Sequence, residues 1–483
     1  MGTNYAPNGS ISTGIDTSKH LRISLRESMF CAEGNVMGVG LYLNGHYDPI
    51  GERSSVEDWL TEIENWWEDD ISGDAMWGNF FTRCRTIQTH DGHPALSVTI
   101  HPAAEEVEFI VAEPGHIRFS AKTSTVGPGY HTALCQLMKR FADDLKVSWN
   151  PAGDEDHASY DESGYFFTGD RDAIEKEMLL HLKTIARVSI ETLEAKGFTL
   201  DNWHMSTGHD YTACPGDLRT PTGIRSREWI QSILDDSRNG IDIYPWWEDG
   251  LTPRFRLGRA LCDMWTKVRW RPILTDDEYE DGDWLHLDLC HALAGDPTLD
   301  FPWREWAELI DMLDESEGAT MLDGRDVREE VHKRAKKVPK KRPLIGYRRY
   351  PVKVELLDGW SITIPGEMVE QWDKLTWSAW DGDRTVWVNN WGITKDGVPI
   401  PAQEVLDAMK IREGEIIPHQ NGDLIGKAIL GETEENDETL INLQAFSAVD
   451  GKSALCNIYY HDEEDYDWAI ETWHSLSAPP DRG

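Results

Sequence analysis

Residues 204–218, HMSTGHDYTACPGDL, bring histidine, aspartate and cysteine into one short stretch. His204, His209 and Cys214 follow one another at intervals of five residues. Imidazole nitrogen and thiolate sulfur are ligands that zinc prefers in a tetrahedral site. Donors at this spacing do not share one face of a helix or strand, so a turn must bring them together, and Pro215-Gly216 supplies one. The stretch predicts a zinc site; the alternative is a polar turn with Cys214 buried in a core.

The segment GHDYTACPGDL, 208–218, resembles the closing motif of the peptidoglycan-recognition-protein family of zinc amidases, which cut the muramoyl–alanine bond. In that family a histidine after glycine and the cysteine of a Cys-Pro-Gly segment bind zinc. The resemblance therefore implies His209 and Cys214 as ligands, with His204 or the upstream His101 completing the set. The resemblance covers these residues alone, and the spacing from His209 to Cys214 is shorter than in the family. It implies hydrolysis of an amide by zinc-activated water.

A second stretch, TSTVGPGYH (123–131), could bind an anion. Its glycine-rich turn leads into a predicted helix, and a helix N-terminus presents free N–H groups and the positive end of the helix dipole. The predicted anion-binding residues are Lys122, Gly127, Gly129 and His131. The stretch fits neither the P-loop nor the dinucleotide-binding glycine pattern. The alternative is that the glycines and the proline only form the turn.

Acidic clusters and tryptophans are the other conspicuous side chains. Acidic runs lie at 68–70, 154–156, 276–283 and 463–467, and none fits a calcium-binding loop. We interpret most of them as solvated faces and helix starts. The 22 tryptophans supply core packing, and part of the cluster 372–391 is expected at the surface.

The composition excludes some classes of protein and indicates where the protein works. The formal net charge is −39 and the calculated pI about 4.7, so the surface repels nucleic acid and anionic lipid and attracts basic partners. The seven cysteines are widely spaced without a C-x-x-C pair, as in a reducing compartment. No apolar run is long enough to cross a bilayer, and the N-terminus lacks the apolar core of a secretory signal. We therefore expect a cytoplasmic protein.

The helices and strands predicted from the sequence indicate an α+β fold with at least two domains. A flexible arm (1–20) precedes a mixed α/β domain (21–145), and a mostly helical region (146–332) contains the 204–218 loop. The run KRAKKVPKKRP (333–343) is predicted to be a basic linker, either binding a partner or neutralised by the protein's own acidic surface. The last domain, 344–483, is predicted to hold an antiparallel sheet with helices.

Local signals predict individual elements. Ser55 and Asp58 have capping-box spacing at the start of a helix over 55–69. Asp172 is predicted to cap a long helix that ends at Gly197. Asp358-Gly359, flanked by alternating apolar residues, predicts a hairpin over 352–364. Further helices are predicted at 226–236, 254–268 and 303–315.

Two functions remain from the sequence. The first is a non-enzymatic, cytoplasmic protein-binding component with an acidic, Trp-rich surface, whose partner is another protein with a basic surface. This profile fits a component of a bacterial immunity or phage-defence system, although no motif points to a pathway. The second is a zinc-dependent amide hydrolase centred on His209 and Cys214. Zinc is the one cofactor that either function suggests.

Overall fold

The computed structural model describes most of the chain after residue 37. The described residues are 38–51, 54–74, 77, 83–89, 92–153, 158–194, 210–211, 218–315, 321–322, 325–342, 344–409, 414–435 and 438–478. The chain divides into two units, Met1–Asn35 and Val36–Gly483. The first unit, with the predicted arm, lies outside the described residues. The second unit contains all the described residues. The predicted domain boundaries at 145, 332 and 343 within it stay predictions.

Eleven α-helices are described. They are α1 Val56–Asn65, α2 Pro128–Leu145, α3 Tyr165–Thr168, α4 Arg171–Glu194, α5 Arg227–Asp235, α6 Pro253–Thr266, α7 Asp276–Gly295, α8 Trp303–Glu315, α9 Arg328–Ala335, α10 Ala402–Ala408 and α11 Tyr466–His474. A π-helical turn, Trp66–Ile71, continues α1.

The strands fall into two large antiparallel sheets and several short pairs. Those of the first large sheet are β1 Gly40–His46, β2 Arg83–Gln88, β3 Pro94–Thr99, β4 Val107–Ile110, β5 His116–Lys122, β6 Ser148–Trp149 and β7 Tyr160–Asp161. The short strands between the sheets are β8 Asp210–Tyr211, β9 Leu218–Thr220, β10 Gly223–Arg225, β11 Met321–Leu322, β12 Arg325–Asp326, β13 Val352–Glu355 and β14 Ser361–Ile364. The remaining strands are β15 Val369–Asp373, β16 Thr376–Trp380, β17 Arg384–Gly392, β18 Thr394–Lys395, β19 Val398–Pro399, β20 Ile416–Asn421, β21 Leu424–Glu435, β22 Glu438–Val449 and β23 Lys452–Tyr460.

The N-terminal sheet has the order β2-β3-β4-β5-β1-β6, with β7 also paired to β1. Helices α1 and α2 share its apolar core, which includes Trp59, Leu134 and Phe119. The predicted capping of α1 is confirmed, because the Ser55 hydroxyl accepts a hydrogen bond from the Asp58 N–H at 3.1 Å. Since β5 leads directly into α2, and β7 pairs with β1, the sheet brings three distant chain segments together at one point.

The C-terminal sheet has the order β15-β16-β17-β23-β22-β21-β20. One of its faces packs against α11 and shares a core with α6 to α8, including Trp473, Trp377 and Trp306. Helix α10 covers part of the other face through Val405 and Phe446. The described part of the chain thus has the predicted α+β architecture, with antiparallel sheets and packed helices.

Several local predictions can be compared with the structure. The hairpin is confirmed: β13 and β14 pair antiparallel, and both Asp358 and Gly359 have positive φ. The predicted cap at Asp172 is wrong by two residues, because the helix begins at Arg171 and the Asp170 carboxylate accepts from the N–H groups of Asp172 and Ala173. Gly197 lies outside the described residues. None of the described helices is both long and apolar enough to span a membrane.

Candidate functional site

The most promising chemical group in the described residues is a buried cluster of His131, Cys135 and Asp161. One donor atom from each lies within 4.8 Å of the other two, and it is the one group of three such metal-ligating residues found in the described part of the chain. His131 and Cys135 are four residues apart on α2, so both point from the same face of that helix. Asp161 ends β7, on the far side of the cluster.

The Asp161 carboxylate is held by several donors. Its Oδ1 accepts from the N–H and the hydroxyl of Ser163, each at 2.8 Å, and its Oδ2 accepts from the Phe166 N–H at 2.6 Å. His131 Nε2 lies 3.2 Å from Oδ1. Burial alone would raise the pKa of Asp161, but the hydrogen bond and charge of His131, with the other donors, lower it to about 2. Asp161 is therefore an anion at neutral pH.

The other side of the imidazole contacts the TSTVGPGYH loop. His131 Nδ1 lies 2.8 Å from the Thr123 hydroxyl, which in turn donates to the Val39 carbonyl at 3.0 Å. Thr123, His131 and the Asp161 side chain have no exposed surface. The network thus connects the start of β1, the end of β5, α2 and β7.

Cys135 completes the cluster as a neutral thiol. Burial, together with the charge of Asp161, raises its pKa above the usual range for a thiol. A divalent cation would reverse this preference, because a bound metal stabilises thiolate and displaces its proton. Tetrahedral zinc with bonds of about 2.0–2.3 Å needs donor atoms roughly 3.3–3.8 Å apart. The three donors could therefore hold a metal after a small contraction of the cluster.

A second His-x-x-x-Cys pair offers a contrast. On α7, His286 Nε2 lies 3.1 Å from the Cys290 sulfur. The Trp306 indole N–H donates to His286 Nδ1 at 3.0 Å, so the protonated Nε2 faces the sulfur. Both residues are buried, but this pair has no third metal-ligating side chain within reach in the described part of the chain. It is therefore a natural control for the cluster on α2.

Glu162 lies at the edge of the cluster. Its Oε2 accepts from the Gly40 N–H at 2.6 Å. Burial raises the pKa of Glu162 to about 7, and the charge of Asp161 adds to this against the opposing hydrogen bond from Gly40. This carboxyl therefore changes charge near neutral pH.

The predicted anion-binding residues have protein partners. The Gly127 N–H donates to the Thr123 carbonyl at 3.1 Å, and the Gly129 N–H donates to the Trp246 carbonyl at 3.0 Å. The Lys122 ammonium lies 3.6 Å from the Glu105 carboxylate. A Cβ on Gly129 would lie 2.3 Å from the Glu248 carbonyl oxygen, so glycine is required for this close packing. Of the four residues, only His131 enters the cluster, and anion binding stays a prediction.

The predicted zinc ligands His204, His209 and Cys214 lie outside the described residues. Within that motif, Asp210–Tyr211 forms β8 and pairs antiparallel with β13. The upstream candidate His101 is buried, and burial with the nearby charge of Arg259 lowers its pKa to about 3. His101 Nδ1 accepts from the Ala103 N–H at 3.1 Å, which leaves Nε2 protonated.

The acidic run 276–283 lies in a helix, whereas the run 154–156 lies outside the described residues. Asp276, Asp277 and Glu278 form the first turn of α7, as expected for helix-start charges.

A cleft of about 580 Å³ lies beside helix α7 and the edge strand β15. The arginines in its wall are already paired: Arg271 with Glu278 at 2.7 Å and Arg348 with Glu370 at 3.1 Å. The cleft therefore offers an incoming anion few free donors.

One end of the C-terminal sheet collects acidic loops. Arg384 pairs with Tyr460, and Tyr460 with Ile441. The described segments 381–384, 430–435, 438–441 and 460–467 therefore meet there. We call these segments the acidic end; Arg384 is their one lysine or arginine. Arg384 is itself paired with Asp381 at 2.6 Å and with Glu367 at 3.3 Å. Strands β21 and β22 continue to the pair Glu435–Glu438, beyond the residues that pair with β20 and β23.

Comparisons with known proteins add little. No protein-family model matches the chain, and no curated protein matches it. Among solved structures, a protein from Bacteroides thetaiotaomicron VPI-5482, determined at 1.50 Å resolution, is similar at 11% identity and a TM-score of 0.21. The match covers 26% of this chain and 46% of that one. A likeness of this size carries no functional argument.

Proposed function

We propose that this protein is a non-enzymatic binding protein whose N-terminal sheet is stabilised by zinc at His131, Cys135 and Asp161. The observation that carries the proposal is the complete burial of three chemically matched donors from two separate elements. Nitrogen, sulfur and oxygen donors suit zinc better than magnesium or calcium. A catalytic zinc needs a position open to substrate, whereas structural zinc is held by four protein ligands in a closed site. This cluster supplies three, and the buried Ser163 hydroxyl, 3.2 Å from His131 Nε2, is the oxygen donor beside them for the fourth position.

Metal content tests the zinc site. Untagged protein purified without chelator is measured by inductively coupled plasma mass spectrometry, as wild type and as Cys135→Ser, with Cys290→Ser as the matched control. We expect near-stoichiometric zinc in wild type and in Cys290→Ser, and at least about a tenfold loss in Cys135→Ser, as for removal of one thiolate ligand. Metal-free wild type, or equal zinc in all three proteins, would exclude this site.

The same experiment separates the two zinc hypotheses. The amidase alternative depends on His204, His209 and Cys214. Zinc that is lost in Cys214→Ala but kept in Cys135→Ser would favour the hydrolase and would be followed by an assay of peptidoglycan amide cleavage. Zinc lost only in Cys135→Ser would favour the structural site.

We propose that the acidic end is the surface that binds a protein partner with a basic surface. The register of β17, β23 and β22 concentrates negative charge there, and Glu432, Glu434 and Glu464 are exposed. Opposite charge steers association and makes it dependent on salt. A reducing, cytoplasmic location fits the free thiols of Cys84, Cys135, Cys262, Cys290 and Cys456.

Local charge removal tests this surface. Binding of poly-L-lysine is measured by fluorescence anisotropy for wild type, for Glu432→Gln/Glu434→Gln/Glu464→Gln, and for Glu68→Gln/Asp69→Asn/Asp70→Asn, which removes the same charge from an exposed turn in the N-terminal domain. We expect the first triple variant to bind about tenfold more weakly and the second to change less than about twofold. Equal weakening would assign binding to net charge and overturn the acidic end as the site.

A further inference from the structure

The outer face of the C-terminal sheet holds an uncharged surface in a strongly acidic protein. The antiparallel register aligns three rows of side chains across β16, β17, β23 and β22 on this face. The rows are Trp380-Thr385-Tyr459-Asn442, Ser378-Trp387-Asn457-Gln444 and Thr376-Asn389-Leu455-Phe446. None of these residues is charged, whereas the chain as a whole is 28% charged.

Trp387 lies at the centre of these rows and is 41% exposed. It is on an interior strand, flanked by Ser378 and Asn457, so its exposure does not come from a loop or a strand edge. Helix α10 covers the β22 end of the third row, at Phe446, and the face beyond it at Ala448, so the open part of the face lies around Trp387. An indole on an open sheet face presents a flat apolar ring, with amide groups beside it as donors and acceptors.

Asn442 supplies a second, independent observation. Its side chain is on the same face, paired across the strands with Tyr459, and is 2% exposed. Its Nδ2 group is buried and has no hydrogen-bond partner among the described residues. A buried amide N–H without an acceptor costs free energy. An oxygen-bearing ligand would satisfy it once the Asn442 side chain turns outward, because the group is covered in this structure.

We infer that this face binds an uncharged polysaccharide. The ligand class follows from the match of charge and chemistry: a sugar ring has an apolar C–H side that stacks on an indole and hydroxyl groups that pair with amides. Within the three rows on β16, β17, β23 and β22 a basic or acidic partner would find no opposite charge. Charges in line with these rows begin only at the two ends of the third row, with Asp373 on β15 and with Lys427 on β21, which donates to the Leu406 carbonyl of α10. The acidic end and the zinc cluster are not needed for this binding.

Affinity electrophoresis tests the inference. Wild-type protein is run on native gels cast with dextran, mannan, xylan or hydroxyethyl cellulose, and with alginate and heparin as charged comparisons. We expect retardation by at least one neutral polysaccharide, unchanged by added salt. In Trp387→Ala the affinity should fall by about tenfold or more, as for loss of a central aromatic anchor.

The control variant is Trp372→Ala. Trp372 is 44% exposed on the neighbouring strand β15, but it is aligned with the buried Trp377 and Val388, so it belongs to the opposite face. We expect this variant to bind like wild type, and both variants to keep the wild-type unfolding temperature. Absence of retardation by every neutral polysaccharide, equal losses in the two variants, or binding only to the charged gels would each overturn the inference.

Discussion

Glu162 is the residue at the edge of the buried cluster whose charge can be tested by pH. Its pKa in the folded protein is about 7, against about 4.3 in an unfolded chain. The folded state therefore binds more protons between these values, and its contribution to stability is complete below about pH 4 and lost as the pH rises through about 7. Glu162→Gln cannot ionise but retains an oxygen that can accept from the Gly40 N–H.

We expect wild type to lose about 1 kcal/mol of unfolding free energy relative to Glu162→Gln between about pH 5 and pH 8. This loss of free energy is smaller than the full difference in pKa would give, because the carboxyl is partly solvated. Urea denaturation of chelator-treated protein at several pH values measures it, because a cation bound at Asp161 would lower the pKa of Glu162. Glu68→Gln, an exposed glutamate, is the control. If the free energies of unfolding of wild type and Glu162→Gln change in parallel with pH, the Glu162 carboxyl has the same pKa in the folded and the unfolded protein, and the prediction is wrong.

One residue of the cluster was predictable from the sequence. His131 was predicted as a site residue, although for anion binding. Its spacing from Cys135 on a predicted helix was a usable signal for a two-donor site. Asp161 carried no such signal, because it lies in a polar stretch and reaches His131 only through the pairing of β7 with β1. Long-range pairing of two-residue strands has no local signature.

The glycine-rich entry to α2 has a steric requirement for glycine. Gly127 has φ 120°, and a Cβ there would lie 2.5 Å from the Trp246 carbonyl oxygen. Gly250 also has positive φ, 78°, but its Cβ would meet nothing within 4 Å. Gly250 therefore reports the cost of positive φ without a close contact. Gly127 combines the close contact with a conformation, φ 120° and ψ 178°, that is essentially restricted to glycine.

We expect Gly250→Ala to lower the free energy of unfolding by about 1 kcal/mol, the cost of the left-handed conformation. Gly127→Ala adds a clash with a backbone atom, so we expect a loss of about 3 kcal/mol or more. Chemical denaturation of both variants measures the difference. Equal losses would mean that the 244–248 segment moves away from the loop without cost.

Elements with strong local signals were predictable, and others were not. Ser55 and the Asp358-Gly359 turn act through neighbours a few residues away, so their patterns predicted α1 and the hairpin correctly. Helix α7 was not predicted as a helix, because its buried face includes Asp288, which pairs with Arg256 at 3.0 Å. A buried polar residue satisfied by another helix interrupts the apolar periodicity by which a helix is recognised.

At the scale of the whole molecule, net charge opposes folding. A formal charge of −39 on 483 residues gives mutual repulsion that the compact state feels more strongly than the extended chain. Salt screens exposed charges beyond about 10 Å at 0.1 M, so it should relieve this repulsion while leaving short, buried pairs such as Asp161–His131 largely intact. Stability should therefore rise with ionic strength.

We expect the thermal unfolding midpoint to increase by about 2 °C between roughly 10 mM and 300 mM sodium chloride, equivalent to about 2 kcal/mol for a chain of 483 residues. Differential scanning fluorimetry measures the midpoint, and sucrose at equal osmolarity controls for effects other than screening. The gain should be smaller in a variant with Glu432, Glu434 and Glu464 neutralised, because that variant starts with less repulsion at the acidic end. A midpoint that falls with salt would mean that attractive ion pairs, such as Arg271–Glu278 and Arg348–Glu370, outweigh the repulsion from the net charge.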